Sequence, residues 1–183
     1  MESTFETYKL EHKGLSFQVE FCYDESMGEP WKEHDGHGVV SNWTTRDKSP
    51  GERVLNSDRG NKRYYDFAES VKIALKDGWD CSKRRELADV DPSRKWTKKE
   101  IAAMAVEDDF EHLRAWCNDE WHWAGVVVTL LDADGELTKE RESLWGTESS
   151  ENGKYLREVA EELAEEIADR VPADGVLKVM VRI

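Results

Sequence analysis

Residues 121–145 read WHWAGVVVTLLDADGELTKERESLW, and this stretch decides the fold. Trp121 to Leu131 is a strongly apolar run of strand length, Asp132-Ala133-Asp134-Gly135 is a turn, and Glu136 to Trp145 is a return strand. A hairpin requires antiparallel pairing. Downstream, Leu156, Val159, Ala160, Leu163 and Ile167 recur on one helical face, in a helix that starts after Ser150 and is ended by Pro172 and Gly175. Val176 to Ile183 then reads as a last strand. Upstream, Thr97 and Glu100 make a capping box, and Val106, Phe110, Leu113 and Cys117 follow at helical spacing, which predicts a helix over about 98–118.

The N-terminal part repeats the theme. Leu15, Phe17, Val19, Phe21 and Tyr23 alternate with polar residues after the turn His12-Lys13-Gly14, the period of a half-buried strand in a hairpin. Asp24 to Gly38 is aperiodic and reads as a long loop. Val39 to Thr45, Glu52 to Leu55 and Lys62 to Tyr65 read as short strands, followed by a helix capped by Asp66, striped by Phe67, Val71, Ala74 and Leu75, and stopped at Gly78. The expected class is α+β, two-layer, an antiparallel sheet built from hairpins with about three helices packed on it. The expected organisation is one domain over 1–183, with halves 1–78 and 97–183 joined by a charged connector at 79–96. A faint internal echo, Trp43-Thr44-Thr45 then Tyr64 or Tyr65 against Trp145-Gly146-Thr147 then Tyr155, each followed by a helix, suggests two related hairpin-plus-helix units.

The charge is unevenly placed. Residues 1–99 carry 18 Lys and Arg against 19 Asp and Glu, whereas residues 100–183 carry 8 against 21, which accounts for nearly all of the net −14. Such an asymmetry bears on partners more than on fold, because long-range charge governs steering and association. Eight Trp, five Tyr and five Phe keep the chain out of the disordered class. The longest apolar run, Trp123 to Leu131, is less than half of the roughly 20 residues a membrane helix needs, and an acidic surface is repelled by anionic lipid. Three cysteines without a CxxC and a start without an apolar signal core point to a reducing cytoplasm.

The sharpest candidate site is the helix after Ser150. Glu158, Glu161, Glu162, Glu165, Glu166 and Asp169 lie opposite its apolar stripe, and like charges recur at i,i+4, each pair costing about 0.2–0.5 kcal/mol. A second acidic block, Glu107, Asp108, Asp109 and Glu111, sits on the helix at 98–118. Together these carboxylates suggest an anionic surface that docks on a basic protein and imitates phosphates. His34 and His37, flanked by Glu33 and Asp35 in a Gly-rich loop, are weak metal candidates, since a structural zinc site wants four ligands and no other Cys or His stands at a recognised spacing. Asp132 to Glu136 fails as a calcium loop, because Leu130 and Arg141 would occupy ligand positions. No phosphate-loop, dinucleotide or nucleophile-elbow motif occurs, so no catalytic residue and no cofactor is assigned.

Trp116, Trp121 and Trp123 form a dense aromatic group that reads as core, since Asp119, Glu120 and Glu111 have the wrong sign for a nucleobase platform. The connector and the start of the helix after it carry Lys83, Arg84, Arg85, Arg94, Lys95, Lys98 and Lys99, balanced in part by Glu86, Asp89 and Asp91, a small excess beside the acidic half, so nucleic acid is disfavoured as a partner.

The run Gly28-Glu29-Pro30-Trp31-Lys32-Glu33-His34-Asp35-Gly36-His37-Gly38, with Val40 to Thr44, Pro50 to Leu55, Arg63 to Glu69, Arg114 to Trp121 and Ser143 to Gly146, resembles a recurring small accessory protein of tailed bacteriophages and prophages. That resemblance implies an origin, a phage product acting in the cytoplasm of a bacterial host, and carries over no activity, cofactor or site residue. By analogy it points to inhibition of a host nucleic-acid-binding or defence protein. The leading expectation is therefore a non-enzymatic acidic interaction protein with a basic host partner. The alternatives are a metal-dependent hydrolase or nuclease centred on His34 and His37, and a phage structural component that self-associates through sheet edges.

Overall fold

Strand β2 (Leu15–Tyr23) turns the alternation in the sequence into a layer. Leu15, Phe17, Val19 and Phe21 are all buried, and they pair back on β1 (Thr4–His12) through the tight turn at Lys13-Gly14. The next neighbour of β2 is not the following strand in the chain. It is the apolar hairpin: β2 runs antiparallel to Trp123–Leu131, with Phe17 opposite Leu130, Val19 opposite Val128 and Phe21 opposite Val126.

The computed structural model describes residues 3–171 apart from 59, 82–83, 85, 87–88, 90, 92 and 150–152. The expected last strand, Val176 to Ile183, and the stop at Pro172 and Gly175 lie outside the described residues, as does part of the connector. The remaining elements are α1 (Pro30–Glu33), β3 (Val39–Trp43), β4 (Glu52–Asp58), β5 (Asn61–Asp66), α2 (Phe67–Asp77), α3 (Lys98–Cys117), β6 (Trp123–Leu131), β7 (Leu137–Glu148) and α4 (Lys154–Arg170). The class is α+β with hairpin-built antiparallel strands, as expected. The strands form two sheets where one was expected, ordered β1-β2-β6-β7 and β3-β5-β4.

The chain divides into two compact units, Met1–Met27 with Trp121–Ile183, and Gly28–Glu120. The division therefore falls at 27/28 and 120/121, not at the connector, because the N-terminal hairpin pairs with the C-terminal one. Alternation reports which face of a strand is buried. It says nothing about which strand lies beside it.

In the first unit, the four-stranded sheet is covered on one face by α4, whose Leu156, Val159, Ala160, Leu163, Ala164 and Ile167 pack against Phe17, Val19, Phe21, Val126, Val128 and Leu130. Gly125 is a glycine because the Trp145 ring lies across it, 2.2 Å from where a Cβ would stand. In the second unit, α2 and α3 enclose Leu55, Tyr65, Ala74, Ala102, Val106, Phe110 and Leu113. Local chemistry sets the ends. Asp66 caps α2 through the Glu69 amide, Gly78 closes it in the left-handed region at φ 71°, and Thr97 with Glu100 completes a full capping box on α3. The loop Asp24 to Gly38 contains the one-turn helix α1, begun by Pro30 at a position where its missing N–H costs nothing.

Candidate functional site

Helix α4 is amphipathic in charge as well as in hydropathy. Its buried stripe points at the sheet, and Glu158, Glu161, Glu162 and Glu166 stand on the exposed side at i, i+3, i+4 and i+8. What matters is where the cations go. Arg157 leaves the helix to pair with Glu6 on β1 and lies over the Tyr8 ring at 4.9 Å, and Arg170 pairs with Glu142 on β7 at 2.6 Å. Lys154 approaches Glu158 only to 3.8 Å. Glu161, Glu162 and Glu166 make no ion pair among the described residues.

Glu165 and Asp169 behave differently. Lys13, in the turn between β1 and β2, and His12, the last residue of β1, both engage Glu165, and Lys13 also reaches Asp169 at 2.7 Å. Hydrogen bonds from Lys13 and then His12 hold the Glu165 carboxyl below its ordinary range. These two acids tie the helix to the hairpin turn, so the strip without an ion pair consists of Glu161, Glu162 and Glu166, with Glu158 beside Lys154 at its N-terminal end.

The acidic block on α3 is used internally. Both Glu107 oxygens lie 2.7 Å from the Arg53 guanidinium, which stacks over Phe67 at 3.7 Å, and Glu111 pairs with Arg114 at 2.6 Å. Asp108 is half-buried. Asp109 points inward: its side chain is 10 % exposed and its carboxylate is fully engaged within the unit.

His37 and His34 part company here. His34 is exposed, and its amide closes α1 by bonding Pro30 O at 3.0 Å. His37 Nδ1 lies 2.6 Å from Asp109 Oδ1; an ionised carboxylate only accepts, so Nδ1 carries the proton. Asp109 Oδ2 accepts from Gly38 N at 2.8 Å and from the buried Tyr65 hydroxyl at 2.7 Å. Burial, reinforced by the Asp109 charge, pushes the Tyr65 phenol far above its ordinary pKa, so it remains a donor. Ser70 Oγ takes the Val39 amide at 2.9 Å and donates to Asp66 O at 2.6 Å. The His112 ring is stacked parallel to His37 with centroids 6.2 Å apart.

An imidazole oriented by a carboxylate is the arrangement a general base requires. Ser70, the hydroxyl of this cluster besides Tyr65, donates to the main chain rather than to the imidazole. Among the described residues no three His, Cys, Asp or Glu gather closely enough to hold a metal ion. The cluster pins the segment 37–39 to α3, with Gly38 forced to be glycine because a Cβ there would stand 2.1 Å from the Tyr65 oxygen. Tyr65, Ser70 and His112 carry no local sequence signal for this role. Asp109 and His37 are 72 residues apart.

The three tryptophans do not make one platform. Trp121 and Trp123 are each 4 % exposed and meet edge to face at 5.2 Å in the first unit, which is core packing. Trp116 belongs to the second unit, where it meets Trp31 edge to face at 5.5 Å and Arg63 lies against both rings.

Fold and surface thus define a two-layer α+β protein with an uncompensated anionic helix face. No protein-family model matches the chain, and no curated protein and no solved structure matches it. Among the described residues no helix is long and apolar enough to cross a membrane.

Proposed function

We propose that this protein is a non-enzymatic interaction module that docks the exposed face of α4, through Glu158, Glu161, Glu162 and Glu166, on a basic protein surface. The observation that supports it most is the direction of the cations: Arg157 and Arg170 neutralise strand carboxylates, and Glu161, Glu162 and Glu166 are left without an ion pair among the described residues, Lys154 reaching only Glu158. A solvated face under no constraint would use those same arginines at i,i+4 on the helix itself. The unit carrying α4 also concentrates the charge, with 20 Asp and Glu against 9 Lys and Arg, while the other unit has 20 against 17. A field of that sign speeds encounter with a cationic partner.

The resemblance to phage accessory proteins makes a host nucleic-acid-binding or defence protein the natural partner class, with the carboxylate strip standing in for phosphates. The test is affinity capture from bacterial lysate with wild type and two variants of equal charge change. One variant is Glu158→Lys, Glu162→Lys and Glu166→Lys. The other is Asp35→Lys, Asp58→Lys and Asp77→Lys, three exposed acids of the other unit. A basic protein retained at low salt, released at high salt, lost with the first variant and kept with the second is the expected result. Equal retention by the two variants sinks the assignment of the strip as the docking site.

A further inference from the structure

The second unit contains a feature of opposite character to α4. Helix α2 ends at Gly78, and the Trp79 amide turns back to bond Ala74 O at 2.9 Å, which sets Trp79 beside the helix end. Between that end and the first turn of α3 lies a cleft of about 470 Å³, a volume in the range of small-molecule sites. Its walls are Ala74, Leu75, Trp79 and Ile101. Leu75 is 41 % exposed, so the hollow offers apolar surface that the unit's own core does not cover.

The charged residues of the cleft are Lys76, Asp80, Arg84 and Lys98. Arg84 grips Asp80 with both arms of its fork, Nε to Oδ1 at 2.7 Å and one terminal nitrogen to Oδ2 at 2.6 Å, so that pair is neutral. Lys32, Lys62 and Lys72 of the same unit each hold a carboxylate. Lys76 and Lys98 hold none among the described residues. An open, half-apolar cleft with an aromatic wall and two ammonium groups that pair with no carboxylate among the described residues is therefore present in a unit whose net charge is negative.

We propose that this cleft binds a small aromatic anion, a flat ring system carrying a phosphate or a carboxylate, with Lys76 and Lys98 as counter-charges and Trp79 as the wall for the ring. The ring displaces water from Leu75, Trp79 and Ile101, and the anion takes charge-assisted hydrogen bonds from the lysines. Neither half alone satisfies both parts of the site. This goes beyond the docking role of α4 and is independent of it, since the residues concerned lie in the other unit.

The test titrates the full-length chain, followed by backbone amide shifts, with four probes: adenosine 5′-monophosphate, indole-3-acetate, adenosine and inorganic phosphate. Binding of at least one of the first two, with shifts at Leu75, Gly78, Trp79 and Ile101, is expected, and which one binds tells phosphate from carboxylate. Adenosine and inorganic phosphate should bind about tenfold more weakly or worse, as loss of a charge-assisted bond or of the ring contact predicts. Lys98→Glu should weaken binding by about tenfold while keeping the fold, because an acid is favoured at the first position of a helix. Lys76→Gln and Trp79→Leu should weaken it as well. No shift at these amides with either aromatic anion at millimolar concentration overturns the proposal, as does undiminished binding by Lys98→Glu or equal binding of adenosine or phosphate alone.

Discussion

Replacing Asp109 by alanine should be among the most damaging single changes in the Gly28–Glu120 unit. Its carboxylate accepts from Gly38 N, the Tyr65 hydroxyl and His37 Nδ1, at 2.8, 2.7 and 2.6 Å. Without it, two donors that the unit buries, the Gly38 amide and the Tyr65 hydroxyl, are stranded, at about 1–3 kcal/mol each. His37 is 17 % exposed on its side chain and can turn its N–H to water, so it adds little. The expected loss is about 2–6 kcal/mol, a large part of a whole domain's margin of stability. Asp109→Asn should lose only about 1–2 kcal/mol, because its amide oxygen still accepts from Gly38 and Tyr65, and His37 can present a lone pair to its NH2 by changing tautomer. Urea unfolding followed by tryptophan fluorescence reads this, since five of the eight tryptophans (31, 43, 79, 96 and 116) lie in this unit. Two units can unfold separately, so transitions and slopes are fitted individually. Tyr65→Phe in both backgrounds completes a cycle whose coupling should exceed about 1 kcal/mol. An Asp109→Ala protein within about 0.5 kcal/mol of wild type, or strictly additive effects, would refute the account of a buried and mutually dependent cluster.

Gly38→Ala should destabilise the same unit by about 1–3 kcal/mol in the same urea assay, since its Cβ would stand 2.1 Å from the Tyr65 oxygen and 2.4 Å from Ser70 Oγ; a neutral effect would mean that Tyr65 and Ser70 yield freely. In the other unit, His122 lies against Phe5 and Tyr23 with a buried Nε2 that has no hydrogen-bond partner among the described residues, and burial holds its pKa below the ordinary value. The unfolded chain therefore binds a proton that the folded one refuses, so stability is complete above the unfolded pKa of about 6.5 and falls as pH drops from there towards the folded pKa. Melting at about pH 7.5 and 5.5 should show a smaller drop for His122→Phe than for wild type, and equal drops would count against burial as the cause.

What was legible locally came through with its chemistry intact. The alternation in Leu15 to Tyr23, the turn at Asp132 to Gly135, the caps at Asp66 and Thr97 and the stop at Gly78 all have their expected roles. What failed was long-range. Nothing in the pattern of β2 indicates that β6, more than 90 residues on, is its neighbour, so the pairing that joins the two hairpins into one sheet is visible only in the fold. The acidic blocks show the same division. The 3.6-residue period identifies the exposed face of α4, but only the fold brings Lys13 to Glu165 and Asp169, and Arg53 to Glu107. Asp109 follows Glu107 and Asp108 in an acidic run that looks like surface, yet it lies one residue from the buried Phe110 and shares its inward orientation.

The acidic strip of α4 is structurally cheap, which is why it can be set by binding. Leu156, Val159, Leu163 and Ile167 are nearly fully buried and contribute about 1.5–3 kcal/mol each, whereas the repulsions Glu158/Glu162 and Glu162/Glu166 cost about 0.2–0.5 kcal/mol apiece. The anchor outweighs the strip several-fold. Reversal of Glu158, Glu162 and Glu166 to lysine replaces one set of like-charge pairs by another and leaves the buried stripe untouched, so it should change partner capture without changing the melting temperature. Glu165 and Asp169 are the wrong residues for that experiment. Reversing them would break the contact with His12, turn those with Lys13 into repulsions and loosen α4 from the β1–β2 turn, and a loss of binding would then say nothing about where the partner sits.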